Sequence, residues 1–355
     1  MRLLVIVAIV SVGCSSKSSE PPKGNDYCRG RATYTAVPAT PLSGAQGSSI
    51  PAHTFSIVAR DPATGDLGVA VQSHYFSVGS AVTWAEPGVG AVATQSFVDK
   101  GYGPKGLALM ASGVAPAEAL AQLVAADKQA AVRQVGFVDA TGRAAAHTGA
   151  KAIDFAGHHV GEGFAVQANL MGNDKVVPAM RDAYQASKGD LAERMLAALD
   201  AAQAVGGDIR GCQSAAILIV SGKKTDAPWN ERKMDLRVEE HADPLVELRR
   251  LVVNMRAYDR VNQGDLAMEK QDVTGALAHY DAGMKILPDN TEIKYWVGVT
   301  LASLDRVDEA LPLFRAAFKD DPAWIELTRR LTKPGLIPDT DKGRAAVERI
   351  LREAK

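Results

Sequence analysis

The sequence predicts a layered α+β domain followed by a helical region. Strand patterns occur in antiparallel groups joined by short turns, and blocks of helix separate these groups instead of alternating with single strands. A repeat with a period of 34 residues near the C-terminus predicts the helical region. Charged residues are concentrated after Gly222, so the change in composition also indicates two domains.

The composition excludes several classes of protein. The 355 residues are 46% hydrophobic and 23% charged, as in a globular protein with a large core. Lys and Arg number 40 against 41 Asp and Glu, so the net charge is -1. Binding to phosphates requires a basic excess, and we therefore expect no nucleic-acid partner.

Residues 1–14 resemble a bacterial lipoprotein signal. Arg2 precedes an apolar run that is too short to span a bilayer, and the run ends at Cys14, the expected lipidation site. A plain secretory signal is the alternative, because Ser11 stands where lipoprotein signals usually carry leucine. We expect export to the periplasm, membrane attachment only through the lipid, and a linker or leader over residues 15–52.

Export places the remaining cysteines in an oxidising compartment. Cys28 and Cys212 form an even pair there, which is consistent with a disulfide. Two unrelated thiols are the alternative, because spacing in sequence says nothing about geometry.

Residues 53–242 contain the predicted strands and helices of the first domain. Turn sequences at Asp61–Asp66 and Asp139–Gly142 join two hairpins. Two of the predicted helices have proline in the first turn, and two more have alanine-rich amphipathic patterns. In chain order the elements are strands Thr54–Arg60, Leu67–Ser73 and Val89–Phe97, helices Pro104–Gly113 and Pro116–Ala126, strands Val132–Val138, Arg143–Thr148 and Gly163–Leu170, helices Lys175–Ala186 and Leu191–Ala204, and strand Gln213–Val220.

Residues 243–355 are predicted to form the helical domain. Small, aromatic and proline residues recur after 34 positions, pairing Gly264, Ala276, Tyr280, Gly283 and Pro288 with Gly298, Ala310, Phe314, Ala317 and Pro322. This pattern resembles tetratricopeptide repeats over about residues 257–324. An ordinary helical tail is the alternative.

Three motifs that often carry chemistry do not fit their usual contexts. Gly101–Gly106 matches G-x-G-x-x-G without a βαβ unit around it. Ser214 is not in a G-x-S-x-G elbow and enters a strand instead of a helix. The histidines lack the spacing of zinc ligands. We therefore expect no cofactor and no metal.

Thr54 begins a long apolar strand, a position where some hydrolases carry an N-terminal nucleophile. The hydroxyl of such a residue attacks the substrate, and its own α-amine, which titrates near pH 8, accepts the proton. Because threonine commonly begins strands, the position alone does not establish this chemistry.

Seven short runs between Thr54 and about Leu251 make the sequence resemble the domain of unknown function 1028 family. These runs are Thr54–Pro62, Gly68–Ser73, Gly88–Gln95, Ala146–Gly149, Gln167–Asn169, Gly207–Gly211 and Asp235–Val238. The resemblance implies a four-layer αββα sandwich of the N-terminal nucleophile hydrolase type, with tetratricopeptide-like repeats behind it. It also implies hydrolysis of a small-molecule or peptide amide by Thr54, although the family's substrate is not established.

Chemistry suggests roles for other polar residues in these runs. The amide of Asn169 could donate to an oxyanion, or it could close a loop. Asp208 and Arg210 could orient the Thr54 amine or clamp a substrate carboxylate, or they could form a structural ion pair. Supporting or pocket-lining roles are expected for Ser73, His74, Gln95 and His147. For Gln95 and His147 the alternative is a hydrogen-bonded polar group of the core.

A binding protein anchored to the membrane is the rival interpretation. Cleavage between His53 and Thr54 would separate the domain from its lipid anchor, whereas an uncut chain would leave Thr54 without a free amine. In the rival interpretation the protein is not catalytic, the sandwich binds a ligand and the helical repeats dock a protein partner. Both interpretations leave open whether the protein forms a homo-oligomer.

Overall fold

The computed structural model describes residues 54–354, which form two compact units, 54–288 and 289–354. The predicted signal, leader, Cys14 and Cys28 lie outside the described residues. Within residues 54–354, no helix is long and apolar enough to cross a membrane.

The larger unit contains two antiparallel sheets. Six strands lie in the order β10-β9-β2-β1-β8-β7, and four lie in the order β3-β4-β5-β6. The strands are β1 (Thr54–Arg60), β2 (Leu67–Ser73), β3 (Thr83–Glu86), β4 (Gly90–Ser96), β5 (Arg133–Asp139), β6 (Ala144–Thr148), β7 (Gly157–Gly161), β8 (Phe164–Ala168), β9 (Ser214–Val220) and β10 (Arg232–Val238).

Seven α-helices accompany these sheets in residues 54–288. They are α1 (Gly79–Val82), α2 (Tyr102–Ala111), α3 (Pro116–Ala126), α4 (Val176–Ala186), α5 (Leu191–Ala204), α6 (Pro244–Glu269) and α7 (Val273–Ile286). Short 3₁₀ turns lie at Ala130–Val132 and Pro228–Glu231.

Alternation along the strands creates separate apolar layers. In β1, Phe55 and Ile57 join the core under α4, α5 and α6, whereas Val58 joins the core between the two sheets. In β5 of the four-stranded sheet, Phe137 faces away from the six-stranded sheet and packs under α2 and α3. The unit is thus layered as helices, six-stranded sheet, four-stranded sheet and helices.

The predicted α+β class with antiparallel sheets and a C-terminal helical region is confirmed. Every predicted strand has a counterpart, but sequence patterns missed β3, β7 and β10. The β7 sequence Gly-His-His-Val-Gly lacks the β-branched run that indicates a strand. Pairing with β8 nevertheless holds it at the edge of the sheet.

Helix α6 packs on the six-stranded sheet. Its residues Leu245, Leu248 and Val252 share a core with Ile217 of β9. The prediction assigned this helix to a domain of residues 243–355, whereas the two compact units divide after Pro288. The apolar stripe of α6 explains this difference, because it covers a sheet face that would otherwise meet water.

The second unit is helical from Thr291 onward. Its helices are α8 (Thr291–Ser303), α9 (Val307–Asp320), α10 (Ala323–Thr328) and α11 (Asp341–Glu353). Tyr295 is buried at its centre, and the rings of Trp296, Phe314 and Trp324 have centroids within 5.4 Å of the Tyr295 ring. This aromatic cluster is the core of the unit.

We expect Leu248→Ala to lower the free energy of unfolding by about 2–5 kcal/mol, because it opens a cavity in a fully buried position. Val246 lies on the same helix and is 63% exposed, so Val246→Ala should change that free energy by less than about 0.5 kcal/mol. Urea denaturation of both variants measures the difference. Equal effects would show that α6 is not part of the sheet core.

Candidate functional site

Thr54 lies at the end of a central strand and faces the four-stranded sheet. In the strand register it is opposite Ser73 of β2, and Ser73 is opposite Ser214 of β9. The Thr54 Oγ1 donates a hydrogen bond to Ser73 Oγ over 3.1 Å. Three buried hydroxyl side chains therefore form a row across three neighbouring strands.

Side-chain and backbone donors from two strands hold the backbone of Thr54. The Thr54 carbonyl oxygen accepts from Gln95 Nε2 at 3.0 Å, from the Asn169 backbone N–H at 3.1 Å and from Asn169 Nδ2 at 3.5 Å. Gln95 belongs to the four-stranded sheet, and Asn169 follows β8 of the six-stranded sheet. The first residue of β1 is thus fixed from both sheets.

Gln134 of β5 connects these donors to one another. Its Oε1 accepts from Gln95 Nε2 at 2.7 Å and from Asn169 Nδ2 at 2.8 Å. Its Nε2 donates to the carbonyl oxygens of Ala168 at 2.9 Å and Gly157 at 3.2 Å, and to a threonine hydroxyl of β6 at 2.9 Å. Gln134 therefore links both sheets. It is fully buried, so these bonds lie in a region without water access.

A second chain of hydrogen bonds runs beside this one. Ser56 Oγ donates to Gln95 Oε1 over 2.6 Å, and Gln167 Nε2 donates to Ser56 Oγ over 2.6 Å. Gly136 allows Gln167 to approach, because a Cβ at that position would lie 2.3 Å from Gln167 Oε1. We call Ser56, Gln95, Gln134, Gln167 and Asn169 the interior polar network.

Asp208 lies beside the hydroxyl row and has a fully buried side chain. Its Oδ2 accepts from the backbone N–H of His74, the residue after Ser73, at 3.1 Å. Its Oδ1 accepts from the Arg210 backbone N–H at 2.9 Å, and the Arg210 guanidinium lies 2.7 Å from Oδ2. The Asp208–Arg210 pair therefore joins the 208–210 loop to the end of β2.

The structure brings most of the predicted site residues together. Thr54, Ser73, Gln95 and Asn169 are connected by direct hydrogen bonds, and Asp208 with Arg210 reaches them through the backbone of His74. The side-chain amide of Asn169 donates to Gln134 Oε1 and to the Thr54 carbonyl. That geometry fits a residue that positions Thr54 better than one that awaits an oxyanion.

His147 does not join the site. Its Nε2 lies 3.0 Å from the carbonyl oxygen of Ala130, on the face of β6 opposite to Thr148, which contacts Gln134. Alternation along the strand separates the two neighbours, so the role expected for His147 has no geometric support.

Cys212 lies near Asp208 and is partly exposed. Burial raises the pKa of its thiol, and the nearby carboxylates of Asp243 and Asp208 raise it further. Such a thiol stays protonated near neutral pH and is a weak nucleophile. Its expected partner Cys28 lies outside the described residues, so the disulfide stays a prediction.

Sequence reasoning missed four members of this arrangement: Ser56, Gln134, Gln167 and Ser214. Each is a polar residue in an otherwise apolar strand and occupies a position that faces the other sheet. A search for polar residues at inward positions of buried strands would have found them. Among residues 54–354, no group of three or more His, Cys, Asp or Glu could hold a metal ion.

These features define an antiparallel α+β sandwich with polar side chains at one end of its interior. Residues 54–248 match a family of unknown function, DUF1028, and the chain belongs to that family. The crystal structure of a DUF1028 protein from Silicibacter pomeroyi is similar, with 31% sequence identity and a TM-score of 0.51 over 56% of this chain and 88% of that chain. No curated protein matches the sequence.

We expect Gln134→Leu to lower the free energy of unfolding by about 3 kcal/mol or more, because several buried donors and acceptors lose their partner. Gln122→Leu is the matched control, since Gln122 is exposed on α3 and its amide makes a long hydrogen bond, 3.4 Å, to the Glu118 carboxylate. Chemical denaturation measures both. A Gln134 variant as stable as the control would contradict the view that this residue links the sheets.

Proposed function

We propose that the chain is an amide-bond hydrolase of the N-terminal nucleophile type, with Thr54 as the nucleophile. One observation carries the proposal: Thr54 begins a central strand, and donors from both sheets fix its backbone while its hydroxyl contacts Ser73. A nucleophile must be held in a productive geometry to gain from proximity, and this arrangement supplies such rigidity.

The chemistry needs a free α-amine on Thr54. The amine accepts the hydroxyl proton while Oγ1 attacks the amide carbon, and the carbonyl oxygen becomes an oxyanion. The C–N bond then breaks, the leaving amine takes the proton, and an ester to Thr54 forms. Water attacks this ester with the same amine as base, which releases the acid and restores the hydroxyl.

Neighbouring groups would assist this sequence. Ser73 Oγ, 3.1 Å from Thr54 Oγ1, would orient the hydroxyl. Gln95 and Asn169 would act as positioning residues through the Thr54 carbonyl. The Asp208–Arg210 pair would hold the loop that borders the site, because both of its charges are engaged with each other.

Cleavage before Thr54 is a requirement of the proposal. The family match begins at this residue, which supports Thr54 as the first residue of the functional domain. The Thr54 side chain is also fully buried, so a substrate can reach it only if processing opens a path. Attack of the Thr54 hydroxyl on the preceding carbonyl would accomplish this cleavage within the chain itself.

We expect wild-type protein from an exporting host to lose all residues before Thr54, and Thr54→Ala to retain them, because the alanine lacks the attacking hydroxyl. Thr54→Ser should be cleaved more slowly than the wild type. Intact mass spectrometry measures each N-terminus, and Ser80→Ala, which changes an exposed hydroxyl on α1, is the control.

Two results would contradict this account. Cleavage of Thr54→Ala at the wild-type rate would assign the cut to a separate protease. Absence of cleavage in all variants, with a lipid on Cys14, would favour the anchored binding protein.

The helical region supports the second candidate function, a binding protein anchored to the membrane. A Cβ on Gly264 would lie 2.4 Å from the Tyr280 ring, and a Cβ on Gly298 would lie 3.3 Å from the Phe314 ring. The same small-to-aromatic contact thus occurs in both helix pairs at the 34-residue spacing, as expected of tetratricopeptide-like repeats. Repeats of this type would dock a protein partner, and periplasmic location with a lipid on Cys14 belongs to the same proposal.

A further inference from the structure

Large apolar side chains are exposed around the end of the sandwich where Thr54 lies. Ten such side chains are exposed in residues 54–354, and four of them lie on loops that border this end. We call these four the apolar rim: Phe76 at 61% exposure, Ile153 at 38%, Phe155 at 50% and Ile209 at 67%. Single exposed apolar residues are normal, but a concentration at one place indicates a binding surface.

Backbone hydrogen bonds connect the rim to Thr54. The Asn169 N–H donates to the Thr54 carbonyl, and the Leu170 N–H donates to the Ile153 carbonyl over 2.9 Å. The Ile209 N–H donates to the Leu170 carbonyl over 3.3 Å. Phe76 follows two residues after His74, whose N–H donates to Asp208. Hydrogen bonds therefore connect the loops that carry Ile153 and Ile209 to the loop after β8, whose Asn169 holds the proposed nucleophile.

A cavity of about 180 Å³ adjoins the rim at Phe155. Its apolar wall is formed by Phe155, Met171, Val176 and Val177. Asp154 and Asp174 also line it, and no Lys or Arg does. The cavity therefore favours an apolar group that is neutral or cationic and disfavours an anion.

A loop of the rim also carries a buried polar atom without a partner among the described residues. This atom is His74 Nδ1, and it lies on the loop between Ser73 and Phe76. A buried ring nitrogen without a partner is costly, so a polar group of a ligand would be stabilised there.

We propose that the site takes an amide with an extended apolar chain or ring, which lies along the apolar rim and enters the cavity beside Phe155. The proposal rests on the hydrolase function for its amide, but the apolar binding site itself does not depend on catalysis. The rim shares Phe155 with the cavity, and its loops are hydrogen-bonded to the loop that holds Thr54; these connections argue for a substrate group as the occupant.

The test uses 1-octanol, 1-butanol and octanoate as probes, because none of them can be hydrolysed. Calorimetric titration of the full-length protein as purified should show 1-octanol binding at least about tenfold more tightly than 1-butanol, since each buried methylene contributes roughly 0.8 kcal/mol. Octanoate should bind more weakly than 1-octanol, because its charge meets Asp154 and Asp174.

Two variants alter the site by different means. Phe155→Ser removes a half-exposed wall of the cavity. Gly157→Val fills the cavity, because the Cβ of residue 157 would lie 4.0 Å from Val177 Cγ2. Each should weaken 1-octanol binding about fivefold to tenfold. Trp229→Ser is the control, since Trp229 is 71% exposed at the opposite end of the sheets, and it should leave binding unchanged.

The outcomes separate the two proposals. Equal binding of 1-octanol to all variants, or no preference over 1-butanol, would overturn the apolar site. Dimers in sedimentation that dissociate in Phe76→Ser, without 1-octanol binding, would also overturn it and assign the rim to contact between two copies. If 1-octanol binds as expected while Thr54 never gains a free amine, the apolar site stands and the hydrolase proposal fails.

Discussion

The arrangement around Thr54 depends on one constraint: the buried amides of Gln95, Gln134 and Asn169, which lie between two apolar sheets, must satisfy one another. Gln134 accepts from Gln95 and Asn169 and donates to the six-stranded sheet, so removal of one partner leaves others without hydrogen bonds. In a region of low dielectric such a network is strongly directional. It specifies the register and separation of the sheets at this end, where apolar contact alone would allow sliding.

The same constraint determines where the proposed chemistry would occur. The Thr54 carbonyl is one of the acceptors that the network fills, so the residue proposed as the nucleophile is held within the core. The loops that follow β2 and β8 start from this fixed point, and hydrogen bonds connect them to the neighbouring loops that carry Asp208, Ile153 and Ile209. A rigid interior thus supports a loop-built surface, the usual division between scaffold and binding residues.

Much of the fold could be predicted from the sequence, because strand runs, turn residues and helix starts are local signals. Strands β3, β7 and β10 could not, since pairing with neighbours outweighs their weak local preference. At the site, Thr54 was predicted from its position at the head of a strand and from family resemblance, and Asp208 from its chemistry within a matched run. Gln134 has no local signature and is revealed only by its partners across two sheets. His147 was misplaced for a simple reason: the strand register directs it away from Thr54.

The central claim is that Thr54 Oγ1 is the reactive nucleophile of a rigid site. The most direct measurement is to treat the protein with a β-lactone, which acylates activated hydroxyl groups, and to locate the adduct by tandem mass spectrometry of the digested chain. The account predicts one acyl group on Thr54 of chains that begin at this residue, and none on the exposed hydroxyl of Ser80. Chains that begin at Thr54 and stay unmodified there, or that are acylated equally at other hydroxyls, would contradict it.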